Sequence, residues 1–287
     1  MPAIRNPIEW AADELRQMAQ YLETVGHSVG GTQVAPGQGT PTIRRIQVAD
    51  LRDVLAKGLD DFGACRSDVV FIGLLYPIIG IVLVYATFQY DMIPLLFPLA
   101  SGFALIGPVA GIGLYELSRR REQGQDAGWV DLFTMVRWSS FGALVVLSLM
   151  LLGIFLLWLA AAQAIYALTL GPEPPVSLGA FFSDVFTTSA GWAMIVLGCG
   201  VGFLFAVVVL TVSVVSFPML VDRDVGVKRA VATSMRAVLM NPGPMAAWGL
   251  IVAGGLALGM LPLFVGLIVV VPVLGHATWH LYRKVVV

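Results

Sequence analysis

Several stretches of this chain run for about twenty residues or more with no Asp, Glu, Lys or Arg, which is the length an α-helix needs to cross the hydrocarbon of a bilayer. In that medium an irregular segment or an open sheet edge leaves peptide N–H and C=O groups without partners, so these runs are expected to be helices. The whole composition agrees: 58% of residues are hydrophobic and 12% are charged, against about a quarter charged in soluble domains. A soluble domain of this length would coat itself with ionised side chains, so residue count here reflects membrane spans. The expected fold is all-α, a polytopic helical bundle of about six transmembrane helices.

The spans are expected near Val69–Phe88, Met92–Tyr115, Phe141–Leu168, Gly191–Phe217, Met245 to about Gly259, and Pro262–Trp279. The last two come from one apolar run of roughly 35 residues, too long for a single crossing and divided at Gly259 to Pro262. Amphipathic segments precede each pair. Val48, Leu51, Leu55, Leu59 and Phe62 form one stripe against Asp53, Lys57, Asp60 and Asp61. Asp126–Trp138 repeats the pattern with Trp129, Leu132, Phe133 and Val136. In Val225–Met240, Val227, Val231, Ser234, Met235 and Val238 oppose Arg229, Thr233 and Arg236. All three are expected to lie on the membrane surface, giving three hairpins each led by a surface helix. Leu178, Phe181, Phe182 and Val185 suggest a short interfacial helix on the far side. Residues 1–26 read as a separate amphipathic helix opened by Asn6-Pro7, residues 27–43 as a Gly- and Pro-rich flexible linker, and residues 44–287 as the six-helix domain.

Charge sets the orientation. All 17 Lys and Arg residues fall on one side of this arrangement, while the opposite loops hold only Asp91, Glu173 and Asp184. By the positive-inside rule both termini are cytoplasmic. The net charge of -1 gives no reason to expect nucleic acid as a partner. Cys65 and Cys199 lie at different membrane depths, which excludes a disulfide framework. The N-terminus lacks the pattern of a cleaved signal peptide, so the first span is expected to direct insertion.

The ends of spans two and six resemble each other: Pro108-Val109, Gly111, Leu117 and Arg119-Arg120 against Pro272-Val273, Gly275, Leu281 and Arg283-Lys284. Pro218-Met219-Leu220-Val221-Asp222-Arg223, at the end of span four, is a weaker copy. The pattern reads as an internal repeat of surface helix, span, span. Ile43-Arg44-Arg45-Ile46, Asp50-Leu51, Gly58, Asp61-Phe62 and Leu75-Tyr76-Pro77, together with Gly275-His276-Ala277-Thr278-Trp279-His280-Leu281-Tyr282-Arg283, resemble a bacterial family of integral membrane proteins known as a domain of unknown function (family 2189). That resemblance, over about residues 43–287, implies the bacterial inner membrane and carries no activity or catalytic residue.

Few residues invite a chemical reading. His276 and His280 share one face of a helix, as two metal or haem ligands do, but two ligands leave a coordination shell incomplete and no acidic residue is evident at their depth. The expectation is no metal and no cofactor, with His276 on a backbone carbonyl and His280 at the headgroup boundary beside Trp279 and Tyr282. No phosphate loop, nucleophile elbow or pair of catalytic carboxylates is present, and Asp60-Asp61 reads as a solvated face, so no enzymatic role is expected. The basic span ends Arg119, Arg120, Arg283 and Lys284 are the candidates for contact with anionic lipid or a partner. The expected function is a non-catalytic scaffold, assembly or lipid-associated accessory protein acting through its cytoplasmic face, with membrane lipids and another membrane complex as partners, the latter through the N-terminal helix. A small permease or channel for a neutral solute is the alternative.

Overall fold

The computed structural model describes residues 41–64, 78–85, 87–88, 92–125 and 140–287. The helix expected at residues 1–26, nearly all of the linker, the surface helix at Asp126–Trp138 and much of the first span lie outside them. The described residues are helical, joined by short turns and by one antiparallel bridge between Ile43 and Val286.

Among the described residues, three helical stretches are long and apolar enough to cross a membrane: Phe141–Thr169, Ser189–Asp222 and Pro242–Met260. The first, α4 in chain order, follows α1 (Asp50–Ala64), α2 (Leu96–Ala110) and α3 (Ile112–Glu122). At 1.5 Å per residue α4 is about 43 Å long, more than the ~30 Å hydrocarbon core. Gly171, at φ +103, ends it in a backbone conformation open to glycine. Ser177 and Thr188 cap α5 (Leu178–Thr187) and α6 (Ser189–Ser213), their hydroxyls accepting from the amides of Ala180 at 3.1 Å and Gly191 at 3.0 Å. Gly191 lies against the backbone of Asp184 and Val185, where a Cβ would sit 2.3 Å from two carbonyl oxygens.

The stretch expected as the fourth span is not one continuous helix. It breaks at Val214–Val215 before α7 (Ser216–Asp222). The Val215 N–H finds its acceptor in Ser234 Oγ, 3.2 Å away on α8 (Val227–Met240). A side chain from a neighbouring helix thereby satisfies a peptide group that the break exposes. The long C-terminal apolar run also divides, into α9 (Pro242–Met260) and α10 (Leu267–Val285). Leu263 and Phe264, in the connection between them, adopt φ of 51° and 66°.

α2 packs on α4 and α4 on α6, with Trp158 Nε1 donating to the Pro98 carbonyl at 3.0 Å. The deepest burial lies elsewhere. α3, α7 and the C-terminal half of α10, the three segments matched in the sequence repeat, pack against one another. Leu114 and Leu117, Phe217, Met219 and Leu220, and Ala277, Trp279, Leu281 and Tyr282 are all fully buried there.

Two of the expected surface helices are turned differently from the sequence reading. α1 lies along α10, its most extensive neighbour. It buries Leu51, Val54, Gly58 and Asp61, leaving Val48 and Leu59 more than half exposed. Gly58 is the reason: a Cβ there would lie 2.8 Å from the Ala277 amide nitrogen and the Val273 carbonyl oxygen, so the two backbones touch at the one residue without a side chain. α8 buries Val227, Ala230, Thr233, Ser234 and Ala237, and exposes Met235. Small residues allow it to lie close to α6 and α7.

Candidate functional site

Three helices from distant parts of the chain bring Asp61 (α1), Ser118 and Arg121 (α3), and His276 and His280 (α10) together. Ser118 Oγ lies 2.6 Å from Asp61 Oδ2 and 2.8 Å from His276 Nδ1. His280 Nε2 lies 2.8 Å from the same Asp61 oxygen. Arg121 donates to Asp61 Oδ1 at 2.6 Å and to Asp60 Oδ2 at 2.9 Å. Asp61, Ser118 and His276 are all buried.

The proton inventory follows from these contacts. Burial alone would push the Asp61 carboxyl up, but hydrogen bonds from His280 and Ser118 outweigh it and hold the group below its ordinary value. Asp61 is therefore an ionised acceptor, and the single Ser118 proton is directed to it. Ser118 oxygen in turn accepts from His276 Nδ1–H. That tautomer leaves a lone pair on His276 Nε2, which is buried and has no side-chain hydrogen-bond partner among the described residues. Burial disfavours the Arg121 cation, yet Asp60 and Asp61 hold it above its ordinary value. The Ser118 hydroxyl is buried and committed to Asp61, so it is no free nucleophile.

A second network adjoins the first. Tyr282 donates to Asp222 Oδ2 at 2.6 Å. Arg283 lies between Glu122, at 3.0 Å, and Asp222, at 3.7 Å, and Trp279 Nε1 donates to Glu122 Oε2 at 3.1 Å. Glu116 accepts from Arg119 Nε at 2.8 Å and Arg120 Nε at 2.7 Å. Lys284 bridges Asp50, at 3.0 Å, and Asp53, at 3.1 Å, which hold its ammonium above the ordinary value. Every basic span end expected to face lipid or a partner thus has a carboxylate beside it.

The two ends of the described chain close on each other. Arg44 N donates to the Val285 carbonyl at 2.8 Å and Val287 N to the Thr42 carbonyl at 3.0 Å. Asn241, buried at the end of α8, accepts from Ile46 N at 2.8 Å and donates to the carbonyls of Arg44, at 3.2 Å, and Ala237, at 3.1 Å.

Several expectations therefore need correcting. Asp61 is no solvated carboxylate; it supplies the acidic group missing at the depth of the histidines. His276 meets the Ser118 hydroxyl as well as the Leu114 backbone, and Trp279 and Tyr282 are core residues instead of headgroup neighbours. His276 and His280 are linked through Ser118 and Asp61, and no group of three or more His, Cys, Asp or Glu among the described residues is set to hold a metal ion. Ser118, Arg121 and Asn241 were not singled out from the sequence. Asp61 carried a usable signal, since Leu51, Val54, Gly58 and Asp61 follow one helical stripe.

Long apolar helices and a charged, internally paired cluster at one end define an integral membrane protein. Residues 96–222 of this chain match the model of the family described as predicted integral membrane protein (DUF2189). The motifs that suggested such a family, around residues 43–77 and 275–283, flank the matched segment. No curated protein and no solved structure matches the chain.

Proposed function

We propose that the protein is a non-catalytic scaffold or assembly subunit of the bacterial inner membrane that works through a rigid cytoplasmic plate. The observation that carries this reading is the buried polar junction, in which Asp61, Ser118, Arg121, His276 and His280 tie α1, α3 and α10 into one body. A plate held this way presents a fixed surface, and the chain before residue 41 is tethered to it next to the C-terminus. In this reading there are six spans in three hairpins, both termini are cytoplasmic, and residues 1–26 dock the partner. Arg119, Arg120, Arg283 and Lys284 serve as internal ties, and lipid contact through them is secondary.

Gentle detergent extraction from native membranes tests this. The expected result is stoichiometric copurification with another membrane complex, lost when residues 1–26 are removed. A protein that purifies alone, and that moves a neutral solute after reconstitution in vesicles, would replace the scaffold with the permease reading. For topology, a cysteine placed at Glu173 should react with an impermeant reagent in intact cells, and one at Arg229 should not.

A further inference from the structure

The span-end cations have internal partners, but a second set does not. Arg44, Arg45 and Arg236 are exposed, and among the described residues none of their side chains has a hydrogen-bond or ion-pair partner. Asn241 ties their two backbone segments to each other, its side-chain amide shared between the carbonyl of Arg44 and that of Ala237, the residue after Arg236. The nearby carboxylates Asp50 and Asp53 are already engaged by Lys284, so no carboxylate among the described residues neutralises this cluster.

Its depth is set by the next residue. Pro242 begins α9, one of the stretches apolar enough to cross a membrane, so Asn241 and its neighbours stand where that helix enters the bilayer. Beside the arginines, Leu239 is 74% exposed and Met240 42%. Cations without partners next to exposed apolar side chains at headgroup level match a phosphate with acyl chains below it. Arginine forks suit phosphate oxygens, which accept two parallel N–H bonds.

We propose that Arg44, Arg45 and Arg236, seated around Asn241, form a binding site for the headgroup of an anionic phospholipid, with Leu239 and Met240 against its acyl chains. The proposal rests on the reading that α9 enters the membrane from the cytoplasmic side.

Purified protein in nanodiscs of phosphatidylcholine, probed with spin-labelled phosphatidylglycerol and spin-labelled phosphatidylcholine, tests it. Wild type should immobilise the anionic probe preferentially. The R44Q/R45Q/R236Q variant should lose about tenfold or more of that preference at low salt, whereas R44K/R45K/R236K keeps most of it. K228Q/R229Q, which removes two cations at the other end of α8, should stay within about twofold of wild type, the screening expected of more distant charges. Arg236→Gln alone should give a partial fall, which reads the same site should the triple variant fail to fold. Wild-type preference in the triple variant overturns the proposal, as does an equal loss in K228Q/R229Q. Unchanged lipid preference with loss of a copurified protein would assign the surface to an acidic protein partner, and would equally overturn it. In a background with Cys65→Ser and Cys199→Ser, Arg45→Cys should react with an impermeant maleimide in inverted vesicles only. Reaction from the outside would strike the topology, whereas correct labelling without lipid preference strikes this site alone.

Discussion

The middle of α6 and the end of α10 are both helical, yet they are built by different physics. α6 buries little beyond Gly191, Val209 and Ser213, and its polar side chains turn inward on their own helix, Thr211 donating to the Val207 carbonyl at 2.7 Å. The end of α10 buries Gly275, His276, Ala277, Trp279, Leu281 and Tyr282, and the polar groups of His276, Trp279, His280 and Tyr282 reach other helices. The first is a cylinder that any lipid-compatible sequence of that length supplies. The second is a joint in which each residue has a particular partner, so substitutions of the same kind should have unequal consequences in the two regions.

The largest difference is expected at glycines. Gly58→Ala places a methyl group within 3 Å of Ala277 Cβ, the Ala277 amide and the Val273 carbonyl, which a rigid helix pair cannot relieve. A loss of about 3 kcal/mol is expected from such overpacking, read as a lower thermal midpoint in detergent. Gly198→Ala, with nothing within 4 Å of the added atom, should be neutral or slightly stabilising because alanine favours the helix by up to about 1 kcal/mol. Equal midpoints for the two variants would remove the contrast between joint and cylinder.

Asp61→Asn should follow, at roughly 3 kcal/mol, the scale for breaking a buried charge pair, because Arg121 loses its closest carboxylate. The effect has a pH signature. Since the folded carboxyl sits below its ordinary value of 3.8, its contribution is fully present above that value and is lost as pH falls through the lower folded value. The gap between wild type and Asp61→Asn should therefore be constant near neutral pH and close in acid below about 3.8. A gap that widens on acidification would contradict an ionised Asp61.

Asn241→Ala should cost about 1–2 kcal/mol by leaving the buried Ile46 N–H without an acceptor. Its sharper readout is faster hydrogen exchange at the Ile46 amide with the α4 amides unchanged. The smallest effect belongs to Thr211→Val on α6, within about 0.5 kcal/mol, because that hydroxyl serves only its own helix. A larger loss there would show that the Thr211 hydroxyl has a partner beyond its own helix.

Much of the helical layout was legible without coordinates. Phe141–Leu168 was expected as a span and α4 occupies Phe141–Thr169; a break was expected at Gly259 to Pro262 and α9 ends at Met260. These outcomes depend on local sums of hydropathy and on helix punctuation, which adjacent residues determine by themselves.

The joint was not legible in the same way. Whether Asp61 faces water or Ser118 depends on a glycine at residue 58 meeting an alanine at residue 277. Whether Arg283 faces lipid or Glu122 depends on where α3 and α10 cross. Sequence by itself determined that the chain is a helical integral membrane protein, because transfer energies add residue by residue. Only the tertiary structure decided which cations are neutralised and which carboxylates are buried. A hydrogen bond or ion pair acts over about 3 Å, and no residue's own chemistry names the partner that folding brings within that distance.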